Sequence, residues 1–299
     1  MDFQIVGPEN TLAQSIARAL DKKLIVPQVT QFADGELEVT FSDPTELQHK
    51  KIFIVQSTNP PVHDHMMQLL LTIFQAKNAG AQEIIIVAPY FGYARHDKSV
   101  IPGADCQAKL IADILQAAHI KKLITTALHS EKIMEQFNIP VINLWLADVI
   151  AHDIKSRFGD LSQICLVAPD MGAQPRVAKV CEILGIGHIF FTKKRIAVDK
   201  TLITAVDVHC RGKIAIMIDD IIDTGGTAVN ACDELLNQGF SQVYGYFIHP
   251  VLSGNAIARI EQSKFSGIFV SNSIPLTQVV TKIKIFDITD VLVQTIKII

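Results

Sequence analysis

Apolar residues along this chain fall in blocks of two kinds. Some are short and almost unbroken, as in Ile84-Ile85-Ile86-Val87-Ala88 and Ile214-Ala215-Ile216-Met217-Ile218. Runs of this kind fit strands of a parallel sheet covered on both faces. Between them, apolar positions recur at helical spacing, as over residues 64–79, where Gly80 stands ready to end the helix. The pattern predicts strands over residues 3–7, 52–56, 83–88 and 122–126, with helices over 11–20, 64–79 and 107–118. The same alternation then restarts. Helices are expected at 146–158, 175–184, 228–238 and 254–262, and strands at 164–168, 188–192, 214–218, 243–248 and 267–271. Repeated strand-helix alternation predicts the α/β class, with mainly parallel sheets and helices on both faces. The 299 residues exceed what one core usually serves, so two similar domains are expected. Their boundary falls near residues 143–147, giving domains at 1–145 and 146–283. Residues 284–299 would return to pack on the first.

One strand carries unusual chemistry. The run 214–218 leads into Asp219-Asp220-Ile221-Ile222-Asp223-Thr224-Gly225-Gly226-Thr227, and a helix follows at once. Ligand crevices in open α/β sheets lie at the carboxyl ends of strands. Residues 224–227 have little side-chain bulk, so the backbone can approach a ligand. Their amides point toward a helix N-terminus, where anions bind well. The loop has no Lys and does not match the Walker pattern. Two carboxylates beside a phosphate would repel it unless they hold another part of the same ligand. A ribose 5-phosphate satisfies both, with phosphate on the amides and the 2- and 3-hydroxyls on Asp219 and Asp220. The plainer alternative is an ordinary strand-turn-helix with a solvated Asp pair.

Bulk properties narrow the field. Hydrophobic residues make up 49% and charged residues 19%, which suits a globular protein with a large core. The net charge is -3, with no basic block, so nucleic acid is not an expected partner. No run reaches membrane-spanning length, and the start Met1-Asp2-Phe3-Gln4 does not read as a signal peptide. Five cysteines, scattered and without Cys-x-x-Cys spacing, read as free thiols in a reducing cytoplasm.

The segment 214–227 resembles the phosphoribosyl-pyrophosphate motif shared by type I phosphoribosyltransferases and ribose-phosphate pyrophosphokinases. Further motifs along the chain make the whole sequence resemble the pyrophosphokinases. They are Phe32-Ala33-Asp34-Gly35-Glu36, Tyr93-Ala94-Arg95-His96-Asp97, Leu128-His129-Ser130, Pro169-Asp170 and Lys193-Lys194-Arg195. The resemblance implies two related type I phosphoribosyltransferase-like domains. It implies an ATP- and magnesium-dependent enzyme of nucleotide biosynthesis, moving the β,γ-diphosphoryl group of ATP to the 1-hydroxyl of ribose 5-phosphate. The products would be phosphoribosyl pyrophosphate and AMP.

It also implies roles. Phe32, Asp34 and Glu36 would meet the adenine of ATP bound mainly to another subunit, in a dimer-based homo-oligomer such as a hexamer with shared active sites. Arg95, His96 and Asp97 would bind the nucleotide, and His129 with Asp170 would place Mg2+ on its phosphates. Lys193 and Arg195, on a catalytic loop, would neutralise the transferring group. Asp219, Asp220, Asp223, Thr224, Gly225, Gly226 and Thr227 would hold ribose 5-phosphate.

Taken alone, residues 32–36 read as a surface turn, residues 193–195 as a basic turn, and His63-Asp64-His65 as a polar helix start. The sequence departs from the family pattern at Ala127, Asn138, Ile142 and Lys194, and at Met171-Gly172-Ala173-Gln174-Pro175-Arg176. It stops at Ile299 without the serine-containing tail of longer members. These departures bear on metal affinity and regulation. Two other readings stay open: a non-catalytic paralogue that regulates an active synthetase, and a nucleobase phosphoribosyltransferase.

Overall fold

The computed structural model describes residues 2–99, 101, 103–197, 200–208 and 213–299, with only the backbone for 192–208. The chain divides into two compact units. The first comprises Met1–Leu144, Ser273–Pro275 and Thr289–Ile299, and the second Trp145–Asn272 and Leu276–Ile288.

In chain order the first unit contains β1 (Phe3–Val6), α1 (Thr11–Ala19), β2 (Leu24–Ile25), β3 (Gln28–Gln31), β4 (Leu37–Thr40), β5 (Lys51–Val55), α2 (Val62–Asn78), β6 (Glu83–Ala88), α3 (Gln107–Ala117), β7 (Lys122–Thr126) and β8 (Val141–Leu144). Its sheet is parallel throughout, in the order β2-β1-β5-β6-β7-β8. The continuous apolar runs become its inner strands, and Ile52, Ile54, Ile84, Ile86 and Leu123 are buried. Asn10 caps α1 by accepting from the Ala13 amide at 2.9 Å, satisfying an otherwise unpaired helix donor. β3 and β4 form a separate antiparallel hairpin. Its tip folds because Gly35 takes φ 95°, while the Phe32 amide donates to Glu36 O at 2.8 Å.

The second unit runs α4 (Ala147–Phe158), β9 (Ile164–Ala168), α5 (Gln174–Leu184), β10 (His188–Ala197), β11 (Lys200–Val208), β12 (Ile214–Ile222), α6 (Gly226–Asn237), β13 (Gln242–Pro250), α7 (Ala256–Gln262), β14 (Gly267–Ser271) and β15 (Ile283–Phe286). The sheet order is β11-β10-β9-β12-β13-β14-β15, parallel except for the β10–β11 pair. Cys165, Val167, Ala215 and Met217 pack with Ala231, Cys232 and Leu235 of α6 and Ile260 of α7. Leu166, Ile216 and Ile218, which point the other way, are equally buried. Helices therefore cover both faces, as the unbroken runs predict. The last helix, α8 (Thr289–Lys297), belongs to the first unit and packs on α1, where Lys51 Nζ donates to Ile299 O at 2.9 Å.

Three features depart from the sequence reading. The expected catalytic loop after residue 192 is instead strand, since β10 continues to Ala197 and turns back as β11, with Lys193 opposite Ile203 and Arg195 opposite Thr201. The β-branched content of residues 201–208 favours that pairing. Short strands β2, β8 and β15 were not foreseen, being too brief for a periodicity to show. Cys106, Cys181 and Cys232 are free thiols, and burial pushes those of Cys181 and Cys232 up to about 12. Cys165, however, is joined in a disulfide, and Cys210 lies outside the described residues. Spacing along a chain cannot show which cysteines a fold brings together.

Candidate functional site

β12 is longer than its apolar run. It extends through Ile222, with Asp219 opposite Phe247 and Ile222 opposite Pro250 on β13. Asp219 and Asp220 therefore lie inside the strand, at its carboxyl end. Asp219 lines a cavity of about 180 Å3. Asp170, Asp223 and the whole loop Thr224 to Thr227 line it too, over a floor that includes Met217 and Phe247. Pockets for drug-sized ligands begin near roughly 300 Å3, so this one suits a smaller molecule. Asp220 does not line it and is 5% exposed.

The loop is shaped to accept an anion. Gly225 takes φ 74° at the N-cap of α6, and no side chain caps that helix. The first intrahelical bond runs from the Val229 amide to Gly225 O at 3.0 Å. The amides of Gly226, Thr227 and Ala228 precede it and face the positive end of the helix dipole. At the facing strand end, Asp170 Oδ1 accepts from the Ala173 amide at 3.1 Å, holding the turn into α5.

The acid pair is not solvated. Arg176, on the first turn of α5, donates from Nη1 to Asp219 Oδ1 at 3.3 Å and from Nη2 to Asp220 Oδ2 at 3.1 Å. Its side chain is only 9% exposed, and the guanidinium lies 5.9 Å from the Trp145 ring centroid. The Asp220 amide donates to Asp219 Oδ1 at 2.8 Å. Burial, followed by the charge of Asp220, holds the Asp219 carboxyl well above the usual carboxylate range, against the opposing pull of Arg176. The plainer alternative of a solvated pair does not hold. Sequence reading missed Arg176 as a partner. The two elements are more than forty residues apart in the chain, and only the pairing of β9 with β12 brings them together.

The other candidates lie elsewhere. Phe32 is 50% exposed at the tip of the β3–β4 hairpin, and Asp34 Oδ1 accepts from the Glu36 amide at 3.1 Å within that turn. Arg95 and His96 are exposed after β6, and Asp97 is half-buried. His129 is exposed after β7, preceded by buried Ala127 at φ 44°. His129 belongs to the first unit and Asp170 to the second. The side chains of Lys193 and Arg195 lie outside the described residues. His63 Nδ1 pairs with the Tyr93 hydroxyl at 2.6 Å and His65 Nδ1 with Asn59 O at 2.7 Å, as fits a polar helix start.

No group of three or more His, Cys, Asp and Glu side chains poised for a metal occurs among the described residues. Asp170 and Asp223 line the cavity as hard oxygen donors of the kind a hard cation takes. Magnesium characteristically takes one or two carboxylates and completes its shell with water and substrate phosphates.

Comparison with known proteins bears on the whole chain. Residues 5–118 match the family model for the N-terminal domain of ribose phosphate pyrophosphokinase, and residues 184–299 match that of the phosphoribosyl synthetase-associated domain. A ribose-phosphate pyrophosphokinase of Helicobacter hepaticus is 35% identical over 292 residues, covering 97% of this chain and 93% of that protein. One from Bacillus caldolyticus is 37% identical over 267 residues, covering 89% and 84%. The crystal structure of phosphoribosylpyrophosphate synthetase from Mycobacterium smegmatis superposes with a TM-score of 0.90 at 27% identity, covering 99% of this chain and 98% of that one. With both halves matched by models of one family and relatives of that name spanning nearly its full length, the chain belongs to the ribose-phosphate pyrophosphokinases.

Proposed function

We propose that the protein transfers the β,γ-diphosphoryl group of ATP to the 1-hydroxyl of ribose 5-phosphate, releasing AMP and phosphoribosyl pyrophosphate. The observation that carries this reading is the small cavity that joins Asp219 to the uncapped N-terminus of α6. An acid for hydroxyls stands at one end and amides for a phosphate at the other. The 5-phosphate lies on the amides of the loop 224–227, with the Thr224 and Thr227 hydroxyls as further donors. Asp219 takes a ring hydroxyl directly, while Asp220, outside the cavity lining, acts through Arg176. Asp223 faces the anomeric end and accepts the proton from the 1-hydroxyl.

Transfer of this kind is in-line, and the protein's contribution is placement and charge. Lys193 and Arg195 on β10 neutralise the moving diphosphoryl group. Phe32, Asp34 and Glu36 on the hairpin, with Arg95, His96 and Asp97 after β6, bind the nucleotide. The first unit thus carries nucleotide motifs, and the second the sugar site. Half exposure of Phe32 suits a hairpin that reaches the nucleotide of a neighbouring copy in a homo-oligomer. Asp170, with His129, would hold magnesium, which when bound supplies charge neutralisation on the ATP phosphates. No helix among the described residues is long and apolar enough to cross a membrane, in keeping with a cytoplasmic enzyme.

The test is one incubation of protein, magnesium, ATP and ribose 5-phosphate with no nucleobase. AMP formation supports the reading. Binding without turnover would indicate a regulatory paralogue. Base-dependent pyrophosphate release from phosphoribosyl pyrophosphate would indicate a transferase.

A further inference from the structure

Behind the phosphate loop, on the side away from the cavity, stands Arg259 of α7. Its Nη1 donates to the carbonyl oxygen of Thr224. A Cβ built on Gly226 would lie 3.6 Å from the same Nη1. Arg259 lines the open groove between α6 and α7 and is absent from the lining of the sugar cavity. Its neighbour Ile260 is fully buried in the core beside Ala228 and Cys232. A Cβ on Gly225 would meet Ile260 Cγ1 at 3.7 Å. The base of α7 is therefore fixed against the loop, and the Arg259 side chain reaches the loop from a rigid anchor.

The direction of this bond matters. In a trans peptide the C=O and the following N–H point opposite ways. A donor holding Thr224 C=O on the α7 side turns the Gly225 N–H toward the cavity. The loop's glycines leave that peptide free to flip, because Gly accepts either sign of φ. Gly225 rests at φ 74° in this structure. A full positive charge behind the loop also adds to the helix dipole where an anion is received.

We propose that Arg259 is a positioning residue for the sugar-phosphate site. It clamps the Thr224–Gly225 peptide so that the loop's amides converge on the 5-phosphate, without touching substrate itself. This rests on the assignment of ribose 5-phosphate to the cavity, and it adds a residue on the far side of the loop that controls phosphate recognition.

The experiment compares wild type, Arg259→Ala and Arg259→Lys in calorimetric titrations with ribose 5-phosphate, with ribose, and with ATP, each after thermal melting confirms folding. The bond is exposed and is made to the loop, so its loss predicts up to about ten-fold weaker affinity for ribose 5-phosphate in Arg259→Ala. Ribose and ATP should bind as to wild type, Arg259→Lys should recover part of the loss, and added guanidinium ion should rescue Arg259→Ala. Unchanged ribose 5-phosphate affinity in Arg259→Ala would overturn the proposal. So would an equal loss for ribose and ATP, or no rescue, since a general structural defect behaves that way. Wild type that fails to bind ribose 5-phosphate at all would instead bring down the assignment of the cavity and this inference with it.

Discussion

The carboxyl ends of β12 and β6 make an instructive contrast. After β12 the polar groups are organised before any ligand arrives. Arg176 ties Asp219 to Asp220, the pair is largely buried, and the loop that follows is pinned by a left-handed glycine and by Arg259. After β6, and at the tip of the nearby sequence hairpin β3–β4, the candidate nucleotide residues stand in solvent: Arg95 and His96 are exposed, and Phe32 is half exposed. The two regions share the same architecture of apolar parallel strand and turn. What differs is burial: Arg176 of α5 closes over the acid pair and is itself 9% exposed, whereas Arg95 and His96 are exposed.

Substitutions can break this contrast, beginning with the largest effect. Arg176→Ala leaves the buried Asp220 carboxylate without its partner, and should lower stability by about 3 kcal/mol, read as a fall in unfolding midpoint in denaturant. An unchanged midpoint would mean the pair is not held as described. Next, Lys193→Ala should lower kcat and kcat/KM together by about a hundred- to thousand-fold, with little change in ATP affinity. Steady-state kinetics showing only a raised KM for ATP would remove Lys193 from the transfer step.

Asp220→Asn weakens the charged contact to Arg176, which also holds Asp219, and should reduce ribose 5-phosphate affinity about ten-fold by calorimetry. Phe32→Ala should raise the KM for ATP by about ten-fold through lost stacking. Its thermal midpoint should stay that of wild type, because a half-exposed side chain carries little stability. A drop in midpoint would show that the hairpin tip is structural.

The smallest effect sharpens the electrostatics. Asp219 is held with a raised pKa, so the folded state binds its proton more tightly than the unfolded chain does. Stability should then fall as pH rises from the ordinary carboxylate value of about 3.9 toward the raised one, since the native state is the more protonated in that window. Asp219→Asn removes the titration, so its stability profile should be flatter over that range. An identical pH profile in the two proteins would contradict the burial described.

The legibility of the sequence follows the same divide. Strands buried on both faces announced themselves, since unbroken runs such as Ile214-Ala215-Ile216-Met217-Ile218 have few other homes. The loop at residues 224–227 was readable because small residues between a strand and a helix have a narrow physical use. Arg176 was not readable as a partner of Asp219. Its meeting with the acids depends on β9 lying beside β12, a fact of sheet order and not of local pattern. Arg259 escaped for the same reason, reaching the loop from a helix some thirty-five residues downstream. The β10–β11 hairpin was hidden because residues 193–195 are basic, and charge suggested a loop where β-branched neighbours at 201–208 favoured a strand.

The most direct test is a crystal of the protein soaked with ribose 5-phosphate. The account predicts the phosphate on the amides of residues 225–227 and a ring hydroxyl within hydrogen-bonding distance of the Asp219 carboxylate, inside the cavity at the end of β12. Sugar phosphate bound in the reverse sense, or at any other surface with this cavity empty, would contradict it.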